Sequence, residues 1–322
     1  MKKSHLVITA VAGIATLFGA GIAAAQDLYV SDSSDDSISI FNPGGVETTV
    51  SSGLLDDPTG IAFNSAGDLF ISNSGNGSII EYNTSNGVFS TFATGLTNPH
   101  GLAFDSSGNL YVANDAPGSG GGGISEYAGG VASGLKSYAN PLSNPNSIVI
   151  DGFGDLYVTV GNNMLARIAP GGGAGSTNLV SIASPNDLDS PSGIAFGANG
   201  DLYVVNNGVP SVEQVTLFLQ GSTSVSGSSL INPQGDAFDA NGNLYVADMG
   251  NNTVTEYSLE SGSNGVYVLE KTLNVGLGSG PDDVAFGPGP AVPEPSTYAL
   301  LLGGVAALYF IQRRRAAVPV KI

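Results

Sequence analysis

Residues Gly193-Ile194-Ala195-Phe196 and Leu202-Tyr203-Val204, joined through Gly200-Asp201, decide how the whole chain is read. Each apolar run is too brief for a helix. The Gly-Asp between them is turn chemistry, because Gly takes positive φ without strain and Asp bonds its own backbone. The pair is therefore a β-hairpin. It recurs as Gly60-Ile61-Ala62-Phe63 with Leu69-Phe70-Ile71, and as Gly101-Leu102-Ala103-Phe104 with Leu110-Tyr111-Val112. It recurs again as Ser147-Ile148-Val149-Ile150 with Leu156-Tyr157-Val158, and as Gly235-Asp236-Ala237-Phe238 with Leu244-Tyr245-Val246. One more Leu-aromatic strand, Leu28-Tyr29-Val30, stands first in the series, and the leucines lie 41, 41, 46, 46 and 42 residues apart. A period in this range means stacked or radial repeats. A third strand follows in each unit, as at 37–41, 78–82, 124–127 and 253–257, then a weaker fourth, as at 88–93 or 266–273. Four strands per repeat make one blade of a β-propeller.

Closure follows from what the first repeat lacks. Leu28 has no hairpin strand before it, whereas Pro281-Asp282-Asp283-Val284-Ala285-Phe286 has none after it. The expectation is an all-β, six-bladed β-propeller in which Val284-Ala285-Phe286 completes the first blade beside Leu28-Tyr29-Val30, leaving no open edge. The ends of the body, Asp27 and Pro288, should then emerge together, opposite the face that carries the loops entering the inner strands.

The two ends of the chain read as addresses. Lys2 and Lys3, an apolar run from Leu6 and the small residues Ala23, Ala24 and Ala25 form a signal peptide, with cleavage expected at Ala23-x-Ala25. Pro293-Glu294-Pro295 precedes a 14-residue apolar stretch, 298–311, and then Arg313, Arg314 and Arg315. That stretch is short of the ~20 residues a stable span prefers, and its Arg cluster holds the inner end. The expected organisation is a signal helix over 1–25, a propeller over 26–289 and a sorting segment with a short transmembrane helix over 290–322.

Of 322 residues 47 are Gly and none is Cys, so disulfides, thiolate metal sites and thiol nucleophiles are excluded. Six of the nine cations (Lys2, Lys3, Arg313, Arg314, Arg315, Lys321) lie in the end segments, and of the 27 acids only Glu294 does. The body therefore keeps 3 cations against 26 acids, a net charge of 3 − 26 = −23. Nucleic-acid binding, which needs clustered Lys and Arg, is excluded.

The repeat Pro-x-Gly-(Ile/Leu)-Ala-Phe followed by Gly-(Asp/Asn)-Leu-Tyr-Val resembles the NHL-type six-bladed β-propeller over about 27–287. The resemblance implies the fold; such propellers serve as lyases, lactonases and binding platforms alike. The tail resembles the PEP-CTERM sorting signal of Gram-negative bacteria that make exopolysaccharide. This implies an exported protein of the cell envelope, surface or extracellular matrix, processed by a signal peptidase and an exosortase and held by the membrane through its tail beforehand.

Sites on such a scaffold collect where loops converge. Two rings are expected at one mouth of the channel. The first is the residue after each inner-strand Pro: Thr59, His100, Asn146, Ser192, Gln234 and Asp282. The second lies four residues past each Leu: Asp32, Asn73, Asn114, Val160, Asn206 and Asp248. These donors suit a small polar ligand or a divalent cation, Ca2+ or Mg2+. Neither ring contains Glu, which a lactonase-type site uses, and the body's single His100 falls short of the several His of a zinc-dependent peptide-amidating lyase. His100 is the one candidate general base. Asp32-Ser33-Ser34-Asp35-Asp36 lacks the Gly and Glu of a calcium loop, and Gly118-Ser119-Gly120-Gly121-Gly122-Gly123 lacks the Lys and helix of a phosphate loop. It reads instead as an insertion in the third blade. The expected function is a non-catalytic binding or biofilm-matrix protein for an extracellular polysaccharide or protein. The alternative is a metal-dependent lyase or lactonase.

Overall fold

The computed structural model describes residues 26–114, 122–137, 142–161, 163–169, 180–181, 188–197, 199–216, 221–224, 230–259, 267–275 and 280–288. The expected signal helix, the sorting tail with its transmembrane helix, and Gly118 to Gly121 of the insertion lie outside these residues. By compactness the chain divides into Met1–Gly287 and Pro288–Ile322. Among the described residues no helix is long and apolar enough to cross a membrane.

The first sheet holds β1 (Leu28–Asp32), β2 (Ser37–Phe41) and β3 (Glu47–Ser51), with the last of the described strands, β24 (Pro281–Phe286), added beside β1. The second runs β4 (Pro58–Phe63), β5 (Leu69–Asn73), β6 (Ser78–Asn83), β7 (Val88–Ala93). The third is β8 (Pro99–Phe104), β9 (Leu110–Asn114), β10 (Gly123–Tyr127), β11 (Leu135–Ser137). The fourth is β12 (Pro145–Ile150), β13 (Leu156–Val160), β14 (Met164–Ile168), β15 (Val180–Ser181). The fifth is β16 (Pro191–Phe196), β17 (Leu202–Asn206), β18 (Ser211–Thr216), β19 (Gly221–Ser224). The sixth is β20 (Pro233–Phe238), β21 (Leu244–Asp248), β22 (Thr253–Leu259), β23 (Tyr267–Asn274). Each is four-stranded and antiparallel. This is the repeated-sheet, propeller-like architecture expected from the repeat.

The Leu-aromatic-aliphatic signature works because side chains alternate across a strand. In β5, Leu69 and Ile71 point one way and are fully buried. Val30, Leu110, Val112, Leu156, Val158, Leu202, Val204, Leu244 and Val246 are fully buried in the same way. Each such side chain contributes about 1.5–3 kcal/mol by leaving water. The aromatic residue between them points the other way and meets the Phe that ends the inner strand of the next sheet. Ring centroids are 5.0 Å apart for Tyr29–Phe63 and Phe70–Phe104, 5.5 Å for Tyr157–Phe196, and 4.9 Å for Tyr203–Phe238, all edge-on. In the fourth sheet Ile150 stands in place of Phe and packs in the cluster that holds Tyr111. The sixth sheet meets the first through Tyr245 and Phe286, at 4.9 Å.

Strand β24 pairs with β1 in the register Leu28↔Phe286, Tyr29↔Ala285 and Val30↔Val284. The turn that joins the equivalent strands elsewhere is replaced by the two ends of the body. Where Asn64 N–H donates to Asp68 O in the second sheet, Gly287 N–H donates to Asp27 O at 2.9 Å, and Gln26 Nε2 adds a bond to Gly287 O at 2.7 Å. Asp27 and Gly287 thus lie at the end of β24 away from Asp282.

Candidate functional site in the central cavity

All six innermost strands carry an irregularity at the same place. In β4, Pro58 pairs with Asn73 and Ile61 with Ile71, so Thr59 and Gly60 together face the single residue Ser72. The same shift follows Pro99, Pro145, Pro191 and Pro233, and it sets Asp282 as the extra residue in β24. A bulge of this kind re-aims a side chain. Here it turns the residue after each Pro toward one cavity of about 140 Å3. Thr59, His100, Asn146, Ser192, Gln234 and Asp282 all line it, with the next residue of each strand: Gly60, Gly101, Ser147, Gly193, Gly235 and Asp283. A second cavity of about 340 Å3 shares His100, Asn146 and Ser192 and adds Asn144, Ser190 and Asn207.

Glycine in this third position has a steric cause. A side chain on Gly60 would collide with the carbonyl oxygen of His100 in the next inner strand, and one on Gly101 would meet Asn146 O at 2.7 Å. The inner strands pack around in order, β4 on β8, β8 on β12, β12 on β16, β16 on β20, β20 on β24 and β24 on β4. Hydroxyl groups stitch some of these contacts. Ser72 donates to His100 O, Ser31 to Thr59 O, and Thr159 to Ser192 O at 2.7 Å.

The first ring is not uniform in chemistry. Thr59 Oγ1 donates to Pro99 O and Ser192 Oγ to Pro233 O, each at 3.0 Å, so both hydroxyls serve the contact between sheets. His100 Nε2 lies 3.0 Å from Asn98 Nδ2, and Gln234 Nε2 donates to Asn232 Oδ1 at 3.0 Å. Asp282 Oδ2 accepts from Ser33 N–H at 3.2 Å. Burial pushes the Asp282 carboxyl up to about 7; its bonds from Ser33 oppose this, and the charges of Asp57 and Asp32 add to it. The cavity therefore offers an imidazole, two amides and a carboxyl that burial raises to about 7.

The second ring does not reach this cavity. Asp32, Asn73, Asn206, Asp248 and Val160 are buried, because the position four past Leu shares the face of Leu and packs between sheets. Asp32 Oδ1 accepts from Ser34, Asp35 and Gly280 N–H. Asn73 Nδ2 donates to Leu54 O, Asn114 Nδ2 to Val112 O and Ser125 Oγ, and Asn206 Oδ1 accepts from Asp189 N–H. Asp248 accepts from Ile231 N–H, Asn232 N–H and Asn251 Nδ2. These residues hold loops in place. The Asp32-to-Asp36 segment is likewise a self-bonded turn.

Two carboxyls missed by the repeat reading lie beside the cavity: Asp283 lines it, and Asp236 is buried against Gly193. Asp283 occupies the position of the close-packed glycines, and Asp236 the position filled elsewhere by Ile61, Leu102, Ile148, Ile194 and Val284. Asp283 Oδ2 accepts from Ile61 N–H and Oδ1 from Val284 N–H, both at 2.9 Å. Burial nonetheless pushes Asp283 up to about 7, those two bonds oppose the shift, and Asp282 adds to it. Burial raises Asp236 well above the usual carboxylate range, and Asp283 raises it further. Among the described residues no group of three or more His, Cys, Asp or Glu comes together as metal ligands.

Residues 291–315 match the PEP-CTERM protein-sorting motif, so the chain carries the signal of an exported, cell-surface-directed bacterial protein. No curated protein sequence matches the chain. The fold is similar to a structure of the nidogen/laminin complex, with a TM-score of 0.69 and 18% identity over 83% of this chain and 100% of that one. It is similar to a streptogramin B lyase, with a TM-score of 0.59 and 17% identity over 84% of this chain and 90% of that one. A gluconolactonase from Xanthomonas campestris aligns with a TM-score of 0.56 and 18% identity over 71% of this chain and 83% of that one. At these identities the likeness is one of fold.

Proposed function

We propose that this chain is a secreted or surface-displayed, NHL-like six-bladed propeller closed by β24, acting as a non-catalytic binding or extracellular-matrix protein. One observation carries the reading: the residue after Pro in all six inner strands lines the same cavity. The closed ring is supported by the packing of β24 on β4 and of Tyr245 on Phe286. The signal peptide is removed after Ala25, and the tail, with its short span and Arg cluster, is handled by an exosortase in the envelope of a Gram-negative bacterium. His100, Asn146, Gln234 and Asp282 suit a ligand rich in hydroxyl or amide groups, such as an extracellular polysaccharide or a protein loop. A body of net charge −23 (3 cations, 26 acids) repels anionic polymers and favours neutral ones. The test is retention on extracellular polysaccharide fractions and extracellular proteins by the chain and by a His100→Ala/Asn146→Ala/Gln234→Ala variant. Loss of retention in the variant is expected. Equal retention by both would overturn the assignment.

A second reading rests on Asp282, held near 7 in the same cavity as His100. A carboxyl raised in this way can give up and regain a proton near neutral pH, as acid–base chemistry needs. Alternatively, Asp282, Asn146, Gln234 and His100 would together hold a divalent cation, Ca2+ or Mg2+, for a lyase or lactonase. Turnover of a lactone or glycan panel that is lost in Asp282→Asn would favour this reading over the first.

A further inference from the structure

We infer that the second cavity is an outer subsite for a neutral, hydroxyl-rich chain whose end unit sits in the central cavity. The protein then takes an extracellular glycan by its end and leads it out over the loops entering β12 and β16. This rests on the central cavity being the binding site proposed above, and it adds the form and direction of the ligand. His100, Asn146 and Ser192 border both cavities, so a ligand can pass from one to the other along the same side chains. The outer cavity is the larger, about 340 Å3 against about 140 Å3. His100 is the one titratable residue in its lining. In a body with 26 acids this is an uncharged stretch, which suits hydroxyl groups and not ions.

The fourth sheet opens this space through its sequence. The turn from β13 to β14 has three residues, 161–163, where the equivalent turns at 33–36, 74–77, 207–210 and 249–252 have four. It begins with Gly161, where those turns begin with Ser33, Ser74, Asn207 and Met249. Gly161 N–H donates to Ser143 O and Asn144 O, each at 3.0 Å, so backbone alone ties down the loop entering β12. A short turn with no side chain at its start leaves room beside that loop. The amides around the cavity divide into two groups. Asn98 is spent on His100, Asn163 on Ser190 N–H and Asn206 on Asp189 N–H. Asn144, Asn146 and Asn207 line the cavity, and their side chains bond no other described residue. A side-chain amide carries a donor and an acceptor side by side, the complement of two adjacent hydroxyl groups on a sugar ring. In the packing order of the inner strands β12 lies three places from β24 either way round. The outward path therefore leads away from Asp282 and from the charges of Asp57 and Asp32 that act on it.

The probe is neutral extracellular polysaccharide of the producing cells, partly hydrolysed and sorted into fragments of one to six units. Each size is titrated calorimetrically into the full-length chain. Affinity should rise about 10-fold between one unit and about three, as the outer amides add neutral hydrogen bonds, and then stay level. Asn144→Gly/Asn207→Ala removes two of these amides. Asn144 has a φ of 51°, a conformation that glycine keeps without strain, so this variant should melt within about 2 °C of the wild type. It should bind every fragment only as tightly as the wild type binds a single unit. The His100→Ala/Asn146→Ala/Gln234→Ala variant should lose all sizes alike. Affinity independent of length in the wild type, or a length dependence kept by Asn144→Gly/Asn207→Ala, would overturn the outer subsite and leave the central one standing. No binding of any fragment by the wild type would overturn both.

Discussion

Phe286→Ala should unfasten the last sheet from the first. Its ring packs edge-on against Tyr245, 4.9 Å between centroids at 74°. A fully buried Phe loses about 3–5 kcal/mol when cut to Ala. Phe286 is only half-buried, packed at the rim of the cluster of Leu28, Val30 and Val284, so about half of that applies, ~2 kcal/mol. The lost edge-on contact adds ~1 kcal/mol, for a total near ~3 kcal/mol. Urea unfolding followed by circular dichroism reads this as a lowered midpoint at unchanged slope. Phe104→Ala is the internal comparison, since its ring meets Phe70 in the same geometry and its loss should match within ~1 kcal/mol. Phe153→Ala is the blank: Phe153 is 89% exposed, and its removal should change stability by less than ~0.5 kcal/mol. If Phe286→Ala behaves like Phe153→Ala while Phe104→Ala destabilises, β24 is not a packed member of the ring and the closure argument fails.

Other outcomes follow from the same contacts. Gly60→Ala, which drives a methyl group into His100 O, should cost about 1–3 kcal/mol, whereas Gly53→Ala, with nothing within 4 Å of the added carbon, should be neutral in the same thermal melt. Asp248→Ala removes the acceptor of Ile231 N–H, Asn232 N–H and Asn251 Nδ2; it should cost about 2–4 kcal/mol and leave ligand retention unchanged. Asp283 is held up to about 7 by burial, above the ~3.9 of an unfolded Asp. The folded chain therefore binds more protons than the unfolded one across that window, and the contribution of Asp283 to stability falls as pH rises from about 4 to about 7. Melts at pH 4.5 and pH 8 should show this drop in the wild type and a smaller one in Asp283→Asn; an identical drop in both would refute it.

Much of the architecture was legible because one short phrase is repeated. Leu202-Tyr203-Val204 and its relatives state strand, face and neighbour together, and the orphan strand at Pro281 points to its partner at Leu28. The first ring was legible for the same reason: Pro marks the start of the inner strand and Gly marks the tight approach, so the residue between them is located. The bulge that turns it inward was not, since nothing in the composition of Pro58-Thr59-Gly60 distinguishes a bulge from a regular start. The second ring was misplaced because counting from Leu gives the end of the strand but not its use. Asp248 and Asn73 share the face of Leu and are consumed by loops. Asp236 and Asp283 passed as variants of Ile and Gly, and their meaning depends on contacts between separate inner strands, which no local pattern carries.

The central claim is that the ringed mouth, and not the face where the body's ends lie, is the binding surface. Backbone hydrogen exchange of the chain with and without its retained ligand tests it most directly. The account predicts added protection at the amides of 59–61, 100–102, 146–148, 192–194, 234–236 and 282–284, with none at the turns 64–68, 105–109 and 239–243. Protection at those turns, with the six mouth segments unchanged, would contradict it.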